Sequence, residues 1–166
     1  MSDLGETYRA PAVRFERRLP GSTASVWAHL TDCAKLTGWY GDDSRIEPRE
    51  GGAVRLMGGH IRGVVTQWRP GSRLAHTWNV FSPGEERSPY PESYLTIDLE
   101  PEADGVRLVL THLPVLDRFE TQNAMGWHTF LDILEATLAG RPVEPRPAYM
   151  QRNAARYGVD LANLQR

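Results

Sequence analysis

The stretch NAMGWHTFLDILEATLAG, Asn123 to Gly140, constrains this chain more than any other. Its apolar residues recur with helical spacing. At about 100° per residue, Ala124, Trp127, Phe130, Leu131, Leu134 and Leu138 share one face, with Ile133 at the flank. Burying each large side chain is worth about 1.5–3 kcal/mol, so the helix has to dock onto a broad apolar surface. Upstream, Asp117 and Glu120 stand in capping-box spacing, with Thr121 as a competing cap. Gly140 and Pro142 close the other end. Gly126 costs about 1 kcal/mol relative to alanine inside a helix, which predicts a close backbone approach there.

The surface it needs is supplied upstream by strands. AVRFERRLP alternates Val13, Phe15, Arg17 and Leu19 against Arg14, Glu16 and Arg18, a half-buried strand with one irregular inward position at Arg17. Pro20 and Gly21 end it, and Ser22 or Thr23 caps a short helix carrying Val26, Trp27 and Leu30. A second short turn brings Leu36 and Trp39 inward. Six strands follow in SRIEPRE, AVRLMG, HIRGVVTQW, RLAHTWNVF, SYLTIDLEP and VRLVLTHLP. Gly51-Gly52 and Gly58-Gly59 read as hairpin turns, and the three prolines of SPGEERSPYPE exclude regular structure between the fourth and fifth of these strands. Short links between successive strands predict an antiparallel meander, with the long helix laid across it.

A chain of 166 residues suits one domain with a sizeable core. We read residues 1–11 as a lead, 12–140 as the domain, and 141–166 as a partly helical extension behind a proline-rich link. The extension could fold back, meet a second subunit or stay mobile. A formal net charge of −2 gives no general pull toward nucleic acid or anionic membrane. No run reaches the ~18 apolar residues of a membrane span. The N-terminus has neither the basic start nor the apolar segment of a secretory signal. The single cysteine, Cys33, excludes an internal disulfide; together these features suit a cytoplasmic protein.

Chemistry-bearing residues are few. Alternation puts Leu74, His76, Trp78 and Val80 on one strand face, and Val106, Leu108, Leu110 and His112 on another. Both faces are apolar, so His76 and His112 point inward. There they act as satisfied core histidines, as ligand-orienting groups, or as acid or base. No histidine pair has i,i+4 spacing around a glutamate, so no metal is expected, and no motif implies a cofactor. His128 and Asp132 are four residues apart on the helix shoulder and read foremost as a solvated pair. Trp39, Trp78 and Trp127, among five tryptophans, fall at inward positions, either as core or as the flat walls of a pocket.

The motif order VWAHLTD, LTGWYGD, EPREGGAVRL, RGVVTQWRPGSRLAHTW, SYLTIDLEP, GVRLVLTHLPV and NAMGWHTFLDILEATLAG closely resembles the activator of heat-shock-protein-90 ATPase-like group of the START/SRPBCC (birch-pollen-allergen-like) superfamily. The resemblance spans roughly Val13 to Gly140 and departs at His76, where the family more often has an aromatic or aliphatic residue. It implies an α+β helix-grip fold, a curved antiparallel sheet gripping the C-terminal helix around a hydrophobic cavity. It also implies binding of a small apolar or amphipathic molecule, lined here by Trp39, His76, Trp78, Leu95, His112, Trp127 and Leu131. Alternatives are a cyclase- or hydrolase-type enzyme using His76 or His112, and a co-chaperone-like interaction module. The group's namesake carries a further N-terminal domain not seen in this sequence, which lowers the expectation of a chaperone partner. Both a monomer and a homodimer fit.

Overall fold

The computed structural model describes residues 3–166. Strand β1 (Val13–Leu19) leads into α1 (Thr23–Thr31) and α2 (Cys33–Leu36). Strands β2 (Arg45–Ile46), β3 (Ala53–Leu56), β4 (Ile61–Arg69), β5 (Arg73–Val80), β6 (Ser93–Glu102) and β7 (Gly105–Leu113) follow, then α3 (Glu120–Leu138) and α4 (Arg146–Tyr157). The seven strands form one antiparallel sheet in the order β1-β7-β6-β5-β4-β3-β2, so the meander closes with its first strand against its last. This is the α+β helix-grip architecture expected.

Local chemistry starts and stops these elements. Ser22 caps α1 by accepting from Ser25 N at 3.1 Å, and Asp32 caps α2 by accepting from Ala34 N at 2.9 Å. The β4–β5 register breaks between Val65 and Gln67, a bulge that helps to bend the sheet. Just before it the two strands press together at Gly63, where a Cβ would sit 2.0 Å from the Thr77 carbonyl oxygen. No side chain fits there, which accounts for a glycine inside a strand.

Two expectations about α3 are corrected. Asp117 does not form a capping box with Glu120, and Thr121 is not the cap. Residues Asp117–Phe119 make a 3₁₀ turn that feeds directly into the helix, whose first position carries no side-chain cap. Nor does backbone approach Gly126, since a Cβ there would meet nothing within 4 Å.

Helix α3 is covered on two sides. Trp127, Leu131 and Leu134 are buried on the side facing the sheet core, with Phe130 and Leu138 half-buried beside them. Met125, Thr129, Ile133 and Ala136 are also buried, and they lie about 180° around the helix axis from Trp127. Helix α4 covers that second stripe. It buries Tyr149, Asn153 and Ala154, and Asn153 Nδ2 donates to Thr129 Oγ1 at 3.2 Å and to Asp132 Oδ2 at 3.0 Å. The extension therefore folds back onto its own domain.

The inward arginine of β1 has its reason in the same region. Arg17 donates to Asp132 Oδ1 at 3.0 Å and to Glu135 Oε2 at 2.9 Å, pinning the first strand to α3. The His128–Asp132 spacing thus belongs to an interhelix network rather than a solvated pair. His128 Nε2 accepts from Arg156, its Nδ1 meets the Tyr157 hydroxyl at 2.9 Å, and Asp132 Oδ1 is 3.6 Å away. Burial and the nearby Arg17 and Arg156 cations outweigh Asp132 and hold the His128 pKa below its usual value.

Candidate functional site

Between the inner sheet face and α3 lies a layer of aromatic rings. From α3 come Trp127 and Phe130, with centroids 6.0 Å apart. Strand β5 contributes Trp78, 5.0 Å from Trp127. The chain leaving α2 contributes Trp39 and Tyr40, stacked at 3.8 Å, with Tyr40 edge-on to Trp127 and Phe130. Trp39 Nε1 donates to the His29 carbonyl at 2.8 Å, which fixes the ring and satisfies its only donor.

Strands β5, β6 and β7 set the polar groups beneath this layer. The register pairs His76 with Leu95 and Leu95 with His112, so the two histidines flank one leucine across three strands. Trp127 Nε1 donates to His112 Nδ1 at 3.0 Å. An indole nitrogen only donates, so Nδ1 of the neutral ring is an acceptor and the ring proton resides on Nε2. That proton goes to Ser93 Oγ at 2.7 Å, and the serine hydroxyl donates onward to the Trp78 carbonyl at 3.2 Å. A serine beside a histidine suggests a nucleophile and its base. Here the histidine donates to the serine, so it cannot take the serine's proton in this arrangement.

His76 is held in the opposite tautomer. Its Nδ1–H donates to the Thr77 carbonyl at 2.8 Å, leaving Nε2 as a bare acceptor. Nε2 is buried without a hydrogen-bond partner among the described residues, and the ring, 1% exposed, stacks at 6.0 Å from Trp78. Asn123, one turn before Trp127 on α3, approaches His112 from the helix side. Burial pushes the His76 pKa down to about 4, against the opposing bond to Thr77. Burial, then the neighbouring His76, pushes the His112 pKa to about 4, with Asn123 acting the other way. Both rings are neutral near pH 7.

The aromatic layer is closed in this structure. Trp78, at 7%, is the most exposed of the residues expected to line it. Its neighbour Ser93 begins β6, and the connecting loop is fastened over this end of the sheet by Tyr90, whose ring meets Phe119 edge-on at 5.4 Å. At the opposite side, Arg146 opens α4 and donates to the Tyr40 carbonyl while its guanidinium lies 5.0 Å over Phe130. Gly41, with φ +112°, admits it, since a Cβ there would stand 2.9 Å from the guanidinium. Among the described residues, no group of three or more histidine, cysteine, aspartate or glutamate side chains is gathered to hold a metal, and no helix is long and apolar enough to cross a membrane.

The model of the family described as "Activator of Hsp90 ATPase homolog 1-like protein" matches residues 21–139. The chain belongs to this family. An "Activator of 90 kDa heat shock protein ATPase homolog" of Dictyostelium discoideum is 32% identical over 109 residues, covering 63% of this chain and 27% of that protein. The chain thus matches about a quarter of that relative's length. Among solved structures, CalU16 from Micromonospora echinospora is 26% identical with a TM-score of 0.72, over 90% of this chain and 83% of that one. A Bordetella parapertussis protein is 25% identical with a TM-score of 0.69, over 99% and 92%. The Aha1 dimer of Colwellia psychrerythraea, 19% identical with a TM-score of 0.62 over 77% and 96%, shares the fold.

For this family member, the geometry gathers residues the sequence named separately. His76, Trp78, Leu95, His112 and Trp127 form one connected patch, Trp39 joins it through Tyr40, and Leu131 is buried one turn beyond Trp127. Ser93, Tyr40, Asn123 and Arg146 were not singled out from the sequence. Ser93 was within reach, because alternation in SYLTIDLEP places it with Leu95 and Ile97. Asn123 was too, because the helical period sets it about 40° from Trp127 on the same face, whereas Tyr40 and Arg146 offered no periodic signal.

Proposed function

We propose that this chain binds a small, largely apolar molecule between the inner sheet face and α3. The observation that carries the reading is the contiguous layer of Trp39, Tyr40, Trp78, Trp127 and Phe130, set over two neutral histidines. Flat rings that meet edge to face part as rigid plates and offer a planar or aliphatic guest apolar walls. Because the layer is closed, a guest enters by displacing rings, on the side where Tyr90 fastens the β5–β6 loop. Native mass spectrometry of freshly purified protein, followed by organic extraction, tests the reading. A stoichiometric apolar adduct supports it. A clean protein mass, with tryptophan fluorescence unmoved by planar apolar probes, overturns it.

A second reading comes from the Dictyostelium relative, named for activating a 90 kDa heat shock protein ATPase. On that reading the ring layer is core, and an outer surface of the domain contacts a chaperone. A chaperone ATPase rate unchanged by saturating amounts of this chain would remove it.

A further inference from the structure

The unpartnered acceptor at His76 narrows the class of guest. This rests on the reading that the sheet–helix layer receives a small molecule. Every other polar atom in the His112 chain is engaged in sequence, from the Trp127 indole through His112 and Ser93 to the Trp78 carbonyl. His76 stands outside that chain. Its Nδ1 is committed to Thr77, and its Nε2 presents a lone pair with nothing to receive. A buried polar atom without a partner is costly to the fold, so its retention among tryptophans and leucines marks a position that gains when a donor arrives.

We infer that the molecule bound by this chain is an alcohol or a phenol, whose hydroxyl donates to His76 Nε2 while its apolar body lies among Trp78, Trp127 and Leu95. The inference separates three guests of one size. A neutral hydroxyl donates to Nε2 and is accepted. An ether of the same shape brings a second acceptor, so two lone pairs face each other. A carboxylate brings a negative charge that must be desolvated beside a neutral ring, with no arginine or lysine among the residues around His76 to pair it. Arg146 is engaged elsewhere, on the Tyr40 carbonyl and over the Phe130 ring.

The probes are 2-naphthol, 2-methoxynaphthalene and 2-naphthoate, titrated near neutral pH against wild type and His76→Leu, read by tryptophan fluorescence. Wild type is expected to bind the naphthol about tenfold more tightly than the methyl ether, the discrimination one neutral hydrogen bond supplies. Naphthoate is expected to bind weakest. In His76→Leu, which replaces an orphaned acceptor with an apolar side chain of the kind the site tolerates, the naphthol and the ether should bind alike. A second readout is the ¹⁵N shift of His76 Nε2, which should move with the naphthol and stay with the ether. Equal wild-type affinities for naphthol and ether overturn the donor inference and leave the apolar-binding reading standing. So does an Nε2 shift already characteristic of a hydrogen bond in the free protein and unmoved by naphthol, the signature of a fixed buried water. No binding of any of the three overturns both.

Discussion

Acidification from about pH 7 to pH 5 should markedly destabilise this protein through two buried histidines. His76 and His112 are buried neutral, each with its pKa depressed to about 4 against 6.5 for the free side chain. A depressed folded-state pKa stabilises the native state fully above pH 6.5, because neither state then binds the proton. As pH falls below that value the unfolded chain takes up two protons that the native state refuses. Each histidine then costs the fold about 1.4 kcal/mol per pH unit until its folded pKa is reached. Between about pH 7 and pH 5 the loss is about 2 kcal/mol per ring, about 4 kcal/mol for the pair, a large share of the 5–15 kcal/mol typical of a domain. His128, also shifted down, acts in the same direction. Glu16, Asp43 and Asp160, whose hydrogen-bond partners hold their carboxyls below the usual carboxylate range, act at lower pH. Urea unfolding at a series of pH values across this interval, on wild type and His76→Leu, measures the effect. The variant should lose about half of the slope. A wild-type stability flat from pH 7 to pH 5 would refute the buried, neutral assignment of both rings.

Three substitutions test features described above. Gly63→Ala should cost about 3 kcal/mol or more, because the methyl group meets the Thr77 carbonyl at 2.0 Å and forces β4 from β5; Gly126→Ala, in open space on α3, should gain about 1 kcal/mol, and thermal melts of the two variants give the comparison. Arg17→Met should cost about 2 kcal/mol in urea, since it leaves Asp132 and Glu135 half-buried with their principal cation gone.

The sheet was legible because its signals are local and redundant. Strands such as β1, β6 and β7 alternate cleanly, glycine or proline punctuates the sequence between strands, and most links from β2 onward are short. The inward positions of His76, Trp78, His112 and Trp127 follow from that alternation and from the helical period. What the sequence does not display is whatever depends on two elements meeting. Arg17 reads as an irregularity until α3 brings Asp132 and Glu135 to it. Met125, Thr129 and Ala136 read as the quiet side of an amphipathic helix until α4 covers them. The tautomers of His76 and His112 are set by Thr77 and Trp127, through hydrogen bonds no spacing rule encodes. The tight ring contacts likewise arise in three dimensions only, from Tyr40 following Trp39 out of a short helix where periodicity has lapsed.

Helix α4 lies beyond residue 139, where the family match ends, yet it is wired into the centre of the molecule. Its first residue, Arg146, holds the Tyr40 carbonyl and rests on Phe130, and its middle is bonded to α3 through Asn153. Any tilt of α3 that parts the rings must therefore drag the tail with it or break those bonds. The tail therefore braces the ring layer from outside the sheet, and a change that loosens α4 reaches the interior through Arg146 and Asn153.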